Sequence, residues 1–259
     1  MFEELTALTL LFILSAGFFA GFVDAIAGGG GLIQLPAMLL TFPSKDVVEV
    51  VGTSKTGAIF GTSAAALNYR RNIKTEPKFL LSMVIPAFLG SGLGSLIATQ
   101  ISTVQLKSGI VVMLVAVFIY TLIHPDLGKL EVAKHSPRKR TAIAICAGFV
   151  IGFYDGLIGP GTGTLLMIVL VAALGFAFVG ASAIAKVVNV ATNFASILVI
   201  GFNASIMWRV GLALGAANLA GGFIGSHVAI KKGSDFVRIF YLIVTFILIV
   251  RVAADLILN

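Results

Sequence analysis

The chain has 259 residues, 58% of them hydrophobic and 11% charged, against roughly 45–50% and 25% in soluble globular domains. Its 18 basic and 11 acidic side chains are too few to cover a soluble protein of this length, and the mean hydropathy of +1.07 comes from apolar runs along the whole sequence, which excludes a soluble enzyme and a disordered chain. The net charge of +7 sits in short gaps between those runs, a pattern of cytoplasmic-side bias and not of nucleic-acid binding.

The opening Met1-Phe2-Glu3-Glu4 is acidic where a secretory signal is basic, and no small-x-small cleavage site follows. The first apolar segment is therefore expected to stay in the mature protein. Apolar runs follow at 5–27, 32–42, 47–69, 79–100, 104–123, 141–158, 163–174, 178–201, 206–229 and 236–257. Most approach the roughly 20 residues that a helix needs to cross a bilayer, whereas 32–42 and 163–174 are too short. Each of these two follows a glycine cluster, Gly28-Gly29-Gly30-Gly31 in one case and Gly159-Pro160-Gly161-Thr162-Gly163 in the other, where a continuous helix is hard to maintain. A polar stretch at 124–140, with Lys129, Lys134, Arg138, Lys139 and Arg140, is expected to connect the halves on the cytoplasmic side. The lone Cys146 lies in an apolar run, so it builds neither a disulfide framework nor a Cys metal site and reads as packing filler.

Shifted by 131 residues, the chain matches itself. Gly17, Gly21 and Asp24 fall on Gly148, Gly152 and Asp155; Gly28 and Gly30 fall on Gly159 and Gly161; Lys55 falls on Lys186; Gly90, Gly94 and Ser95 fall on Gly221, Gly225 and Ser226. Glycine coincidences are expected in such a composition, but Asp and Lys inside apolar runs at one fixed offset indicate duplication. The expected fold is an all-α polytopic membrane protein with a first repeat at 1–123 and a second at 141–259. Duplicated halves with broken helices at matching places point to a transporter whose site lies between the repeats. The second arm of each break, about 17 Å long at 1.5 Å per residue, suits a re-entrant hairpin. Three spans then follow in each half, which favours inverted repeats with both chain ends outside. The distribution of Lys and Arg does not separate this from a parallel arrangement.

Asp24, Lys55, Asp155 and Lys186 remain inside apolar runs, where each costs roughly 2.5–3.5 kcal/mol if it faces lipid, and so they are functional candidates. Pairing Lys with Asp simply to hold helices together is compatible with that. The glycines leave backbone N–H groups unblocked, and each cluster opens a helix whose N-terminal end favours an anion. Gly28, Gly29, Gly30, Gly31, Gly159, Gly161, Thr162 and Gly163 are the expected loop contacts, supplemented by Lys55 and Lys186. Ser54 adjoins the first lysine. Asn189 and Asn193 share a helical face with the second, at i+3 and i+7. Gln34 is open to two roles, substrate contact or a helix-end hydrogen bond. Gly90-x-x-x-Gly94 and Gly221-x-x-x-Gly225 fit close helix packing, His227 is expected near an interface, and Trp208-Arg209 marks a headgroup level.

The stretch Gly21-Phe-Val-Asp-Ala-Ile-Ala-Gly-Gly-Gly-Gly-Leu-Ile33 with Pro36 and Gly52-Thr-Ser-Lys55, and its counterpart Gly152-Phe-Tyr-Asp-Gly-Leu-Ile-Gly-Pro-Gly-Thr-Gly163 with Lys186-Val-Val-Asn189, resembles the TauE/SafE sulfite-exporter (TSUP) family over nearly the full chain. The resemblance implies an inner-membrane transporter of small sulfur-containing anions such as sulfite, thiosulfate or organosulfonates. Pro160 and Thr162 stand where the first half has Gly29 and Gly31, so the half-sites are not equivalent. The expected mechanism is a secondary transporter in which the lysines and loop amides bind the anion and Asp24 or Asp155 takes a coupling proton. A passive anion channel would use the same lysines. No G-x-x-x-x-G-K-[ST] is present, so no built-in ATP hydrolysis and no cofactor are expected. The adjacent Ser54-Lys55 points to different helix faces, which argues against an intramembrane hydrolase.

Overall fold

A computed structural model describes residues 6–102, 105 and 135–258. The described residues form helices α1 (Ala7–Ala27), α2 (Gly31–Thr41), α3 (Val47–Asn72), α4 (Pro77–Ala98), α5 (Pro137–Leu157), α6 (Thr162–Ile168, continued by a π-helical turn, Val169–Ala173), α7 (Phe178–Asn203) and α8 (Trp208–Leu258). The chain is an all-α polytopic membrane protein. Five stretches among the described residues are long and apolar enough to cross a bilayer: Ala7–Ala27, Pro77–Ala98, Pro137–Leu157, Phe178–Asn203 and Trp208–Val237. At 26 residues α3 is also long enough, but it buries Thr53, Ser54, Lys55, Thr56 and Thr62, so its polarity is turned inward. Gly233, at φ 76°, interrupts α8 where the last two apolar runs meet. The expected run 104–123 and the stretch 124–134 lie outside the described residues, and from Pro137 the expected connector is already helix α5.

Elements recur at the sequence offset. α3 and α7 start at 47 and 178 and end at 72 and 203, while α4 and α8 start at 77 and 208, each pair 131 residues apart. The halves are interleaved: α8 of the second packs along α1 of the first, and α4 of the first packs along α5 of the second. A Cβ on Gly221 would lie 2.0 Å from the Phe18 carbonyl oxygen, and one on Gly225 would lie 2.5 Å from that of Phe22. The equivalent contacts on the other side are Gly90 to the Phe149 oxygen at 2.3 Å and Gly94 to the Phe153 oxygen at 2.1 Å. Small residues one turn apart let backbones touch, which is how helices associate where lipid removes the hydrophobic drive. These contacts also give direction. Gly17 and Gly21 meet Leu214 and Asn218 in order, so α1 and α8 run in the same sense; Gly148 and Gly152 meet Met83 and Ala87, so α5 and α4 do too.

Gly221→Leu is expected to destabilise the protein by about 3 kcal/mol or more, because a side chain there meets backbone that cannot move aside. Gly92→Ala should be neutral, since the nearest atom to its Cβ, on Val199, is 3.9 Å away. Thermal unfolding of the two purified variants in detergent checks the contrast.

Candidate functional site

The two glycine breaks touch. α1 ends at Gly28, whose left-handed conformation (φ 78°, ψ 10°) turns its N–H back to the Asp24 carbonyl at 2.8 Å. In the second half Gly159 and Gly161 both have positive φ. A Cβ on Gly28 would stand 2.4 Å from the Gly163 carbonyl carbon, and one on Gly163 would stand 2.4 Å from the Gly28 oxygen. Only hydrogen fits at either place. Two tyrosines brace the breaks: the Tyr69 hydroxyl donates to the Ala25 carbonyl at 2.9 Å, and that of Tyr154 donates to the Pro160 carbonyl.

Around this contact the four intramembrane charges form two ion pairs, and each pair crosses between halves. Lys55 Nζ lies 2.8 Å from Asp155 Oδ2, and Lys186 Nζ lies 2.8 Å from Asp24 Oδ2. Every lysine thus meets the carboxylate of the other repeat, a partnership that no spacing within one half encodes. The pairs differ in their remaining bonds. Thr162 Oγ1 is 2.7 Å from Asp155 Oδ1 and equally close to the Gly159 carbonyl, so both oxygens of Asp155 are engaged. Among the described residues, the Asp24 side chain bonds Lys186 alone, and it keeps 17% exposure against 7% for Asp155.

Between the breaks lies a cavity of about 60 Å³. Of the residues expected at the site, Asp24, Gly28, Gly30, Gly31, Gln34, Ser54, Lys55, Asp155, Gly159, Gly161, Thr162, Gly163, Asn189 and Asn193 line it. Gly29 and Lys186 do not. Lys186 is fully buried behind Asp24, so its ammonium reaches the cavity only through that carboxylate, unlike the direct contact expected of both lysines. Gln34 sits at the cavity wall, and its side chain ties three helices together: its amide donates to the Ser54 carbonyl at 2.6 Å and accepts from Asn218 Nδ2 at 2.7 Å.

Among the described residues, Asn218 is a lining amide that the sequence does not single out. It also donates to the Gly17 carbonyl at 3.0 Å and so ties α8 to α1 beside the cavity. Its counterpart at the repeat offset is Ala87, so self-comparison is silent about it; an isolated amide in the small-residue run 215–222 is the one local signal. Asn189, buried at the wall, has an Oδ1 with no hydrogen-bond partner among the described residues. Several nearby hydroxyls serve the scaffold instead. Thr53 accepts from the Met207 N–H, Thr56 donates to the Gly52 carbonyl, and Ser196 bonds Ser91 and Ser95 of α4. His227 meets Asn68 Nδ2 at 3.3 Å, away from the cavity lining.

A family model described as Sulfite exporter TauE/SafE matches residues 13–252. The "Probable membrane transporter protein ORF9" of a Sinorhizobium species is 34% identical over 98% of this chain and 95% of its own length. A "Probable membrane transporter protein" of Haemophilus influenzae is 33% identical, covering 95% of each chain. "Probable membrane transporter protein YfcA" of Escherichia coli K12 is 28% identical over 91% of this chain and 86% of its own. No solved structure matches.

Proposed function

The chain belongs to the sulfite exporter TauE/SafE family of multi-pass membrane transporters, and we propose that it is a secondary transporter carrying a small sulfur-containing anion, such as sulfite, thiosulfate or an organosulfonate, across the inner membrane. One observation carries this: a small cavity where two broken helices meet, with an ammonium group, Lys55, on its wall. The anion exchanges its hydration shell for the Lys55 ammonium, the first-turn N–H groups of α2 at Gly30 and Gly31, and the amides of Asn189 and Asn193. The first-turn donors of a helix have no partner within the helix, so the site offers hydrogen bonds without breaking any.

We further propose that repeats 1–123 and 141–259, joined by a cytoplasmic connector at 124–140, are inverted. Helix directions support this. α3 runs with α8, since Thr56 and Asn68 meet Gly211 and Ser226 in order, and α1 also runs with α8. The short turn between Asn72 and Pro77 reverses α4 relative to α3, and α5 runs with α4. On this basis α1 and its repeat mate α5 point in opposite directions, an arrangement that suits alternating access around a fixed central site. Proton coupling through the buried carboxylates completes the proposal.

Radiolabelled sulfite and thiosulfate uptake into proteoliposomes tests the function. Saturable flux that accelerates with an imposed proton gradient is expected. Flux linear in concentration and indifferent to the gradient would instead identify a passive channel.

A further inference from the structure

Resting on the anion site above, the geometry points to Asp24, and not Asp155, as the carboxylate that takes up a proton when the anion binds. The four buried groups, Lys55, Lys186, Asp24 and Asp155, sum to zero charge, so a bound monoanion leaves the cavity at −1 in surroundings that penalise net charge heavily. One added proton restores neutrality. Where it goes is decided by access. Asp155 is clamped, Oδ2 by Lys55 and Oδ1 by the Thr162 hydroxyl, and its side chain is almost sealed. Asp24 lines the cavity with Oδ2 on Lys186 and, among the described residues, no bond on Oδ1, so a proton arriving through the cavity displaces none of these contacts.

The sequence explains the difference. At the 131-residue offset, the position of Thr162 is held by Gly31, so the hydroxyl that caps Asp155 has no counterpart beside Asp24. Among the described residues, the charged and titratable groups around Asp24 are Lys186 from α7, Tyr69 from α3, whose hydroxyl is committed to the Ala25 carbonyl, and the Lys55–Asp155 pair across the cavity. A proton on Asp24 cancels the carboxylate that stands between Lys186 and the cavity. The field of that second ammonium then reaches the anion. Proton and anion therefore bind cooperatively, and by linkage each raises the affinity for the other by the same factor.

The test is calorimetric titration of the purified full-length protein with methanesulfonate and with thiosulfate, anions whose own charge is constant near neutral pH, in buffers of different ionisation enthalpy. Uptake of about one proton per bound methanesulfonate, the monoanion, is expected for the wild type, and no less for thiosulfate, a dianion. The double variant Asp24→Asn with Lys186→Met removes the pair without stranding a charge and should bind without proton uptake. If it does not fold or bind, the milder pair Asp24→Asn with Lys186→Gln carries the decision: it too leaves no carboxylate at position 24 and strands no charge, and it should likewise bind without proton uptake. Undiminished uptake in either folded, anion-binding variant overturns the assignment to Asp24. If the wild type binds neither anion, the anion site itself is refuted and this inference with it, whereas binding without proton uptake leaves the site standing and refutes the coupling alone.

Discussion

Lys55→Met, made together with Asp155→Asn so that no carboxylate is left buried alone, is expected to weaken anion binding about 100-fold, the loss of one charge-assisted hydrogen bond in a dehydrated site. Lys186→Met with Asp24→Asn should weaken it less, because Lys186 stands behind Asp24 and does not touch the cavity, so the anion loses the compensating proton and a more distant field but no direct hydrogen bond. The two lysines occupy equivalent positions in the repeats, so this inequality is specific to the tertiary arrangement. Equilibrium binding of thiosulfate to each folded double variant measures it. Equal losses in the two would mean that the anion sits symmetrically between the lysines and not against Lys55. Making the substitutions in pairs is essential: removing one member of a buried ion pair typically costs 3–5 kcal/mol of stability, and unfolding would then pass for a binding defect.

The second large effect concerns the backbone. Gly28→Ala is expected to cost about 3–5 kcal/mol, from a left-handed conformation that L side chains avoid together with a Cβ driven into the Gly163 carbonyl at 2.4 Å. Gly163→Ala meets the Gly28 oxygen at the same distance and should behave alike. Gly31→Ala is the contrast. Its Cβ comes no nearer than 3.3 Å to Pro160, so the protein should fold with at most a small loss. Denaturation in detergent, followed by helical circular dichroism, separates the three. Tolerance of alanine at both Gly28 and Gly163 would mean that the breaks do not touch in the folded protein, and the cavity walls would have to be redrawn.

These expectations draw unevenly on sequence and structure. Composition and run lengths were enough for an all-α membrane protein, because a bilayer demands long apolar helices and nothing else in the chain supplies them. The 131-residue offset exposed the duplication, and the run of adjacent glycines exposed the breaks, since packing alone calls for small residues a turn apart. Asp24, Asp155, Lys55 and Lys186 stood out for the same reason: an ionisable group in an apolar run is costly unless it has a partner. Asn218 was not legible. A single amide among small residues carries no period, and its repeat mate is alanine.

The sequence by itself determined which residue types the site holds, because charge and glycine are conspicuous against hydrocarbon-soluble neighbours. Only the tertiary structure decided who meets whom. Each lysine reaches across to the aspartate of the other half because the halves interleave, α8 along α1 and α4 along α5, and ion pairs between residues 100 and 162 positions apart leave no trace in local spacing. The same packing broke the symmetry of the repeats. Thr162 against Gly31, Gln34 against Leu165, Ser54 against Ala185 and Asn218 against Ala87 are isolated differences along the chain, but once folded they gather at one cavity and give its two halves different chemistry.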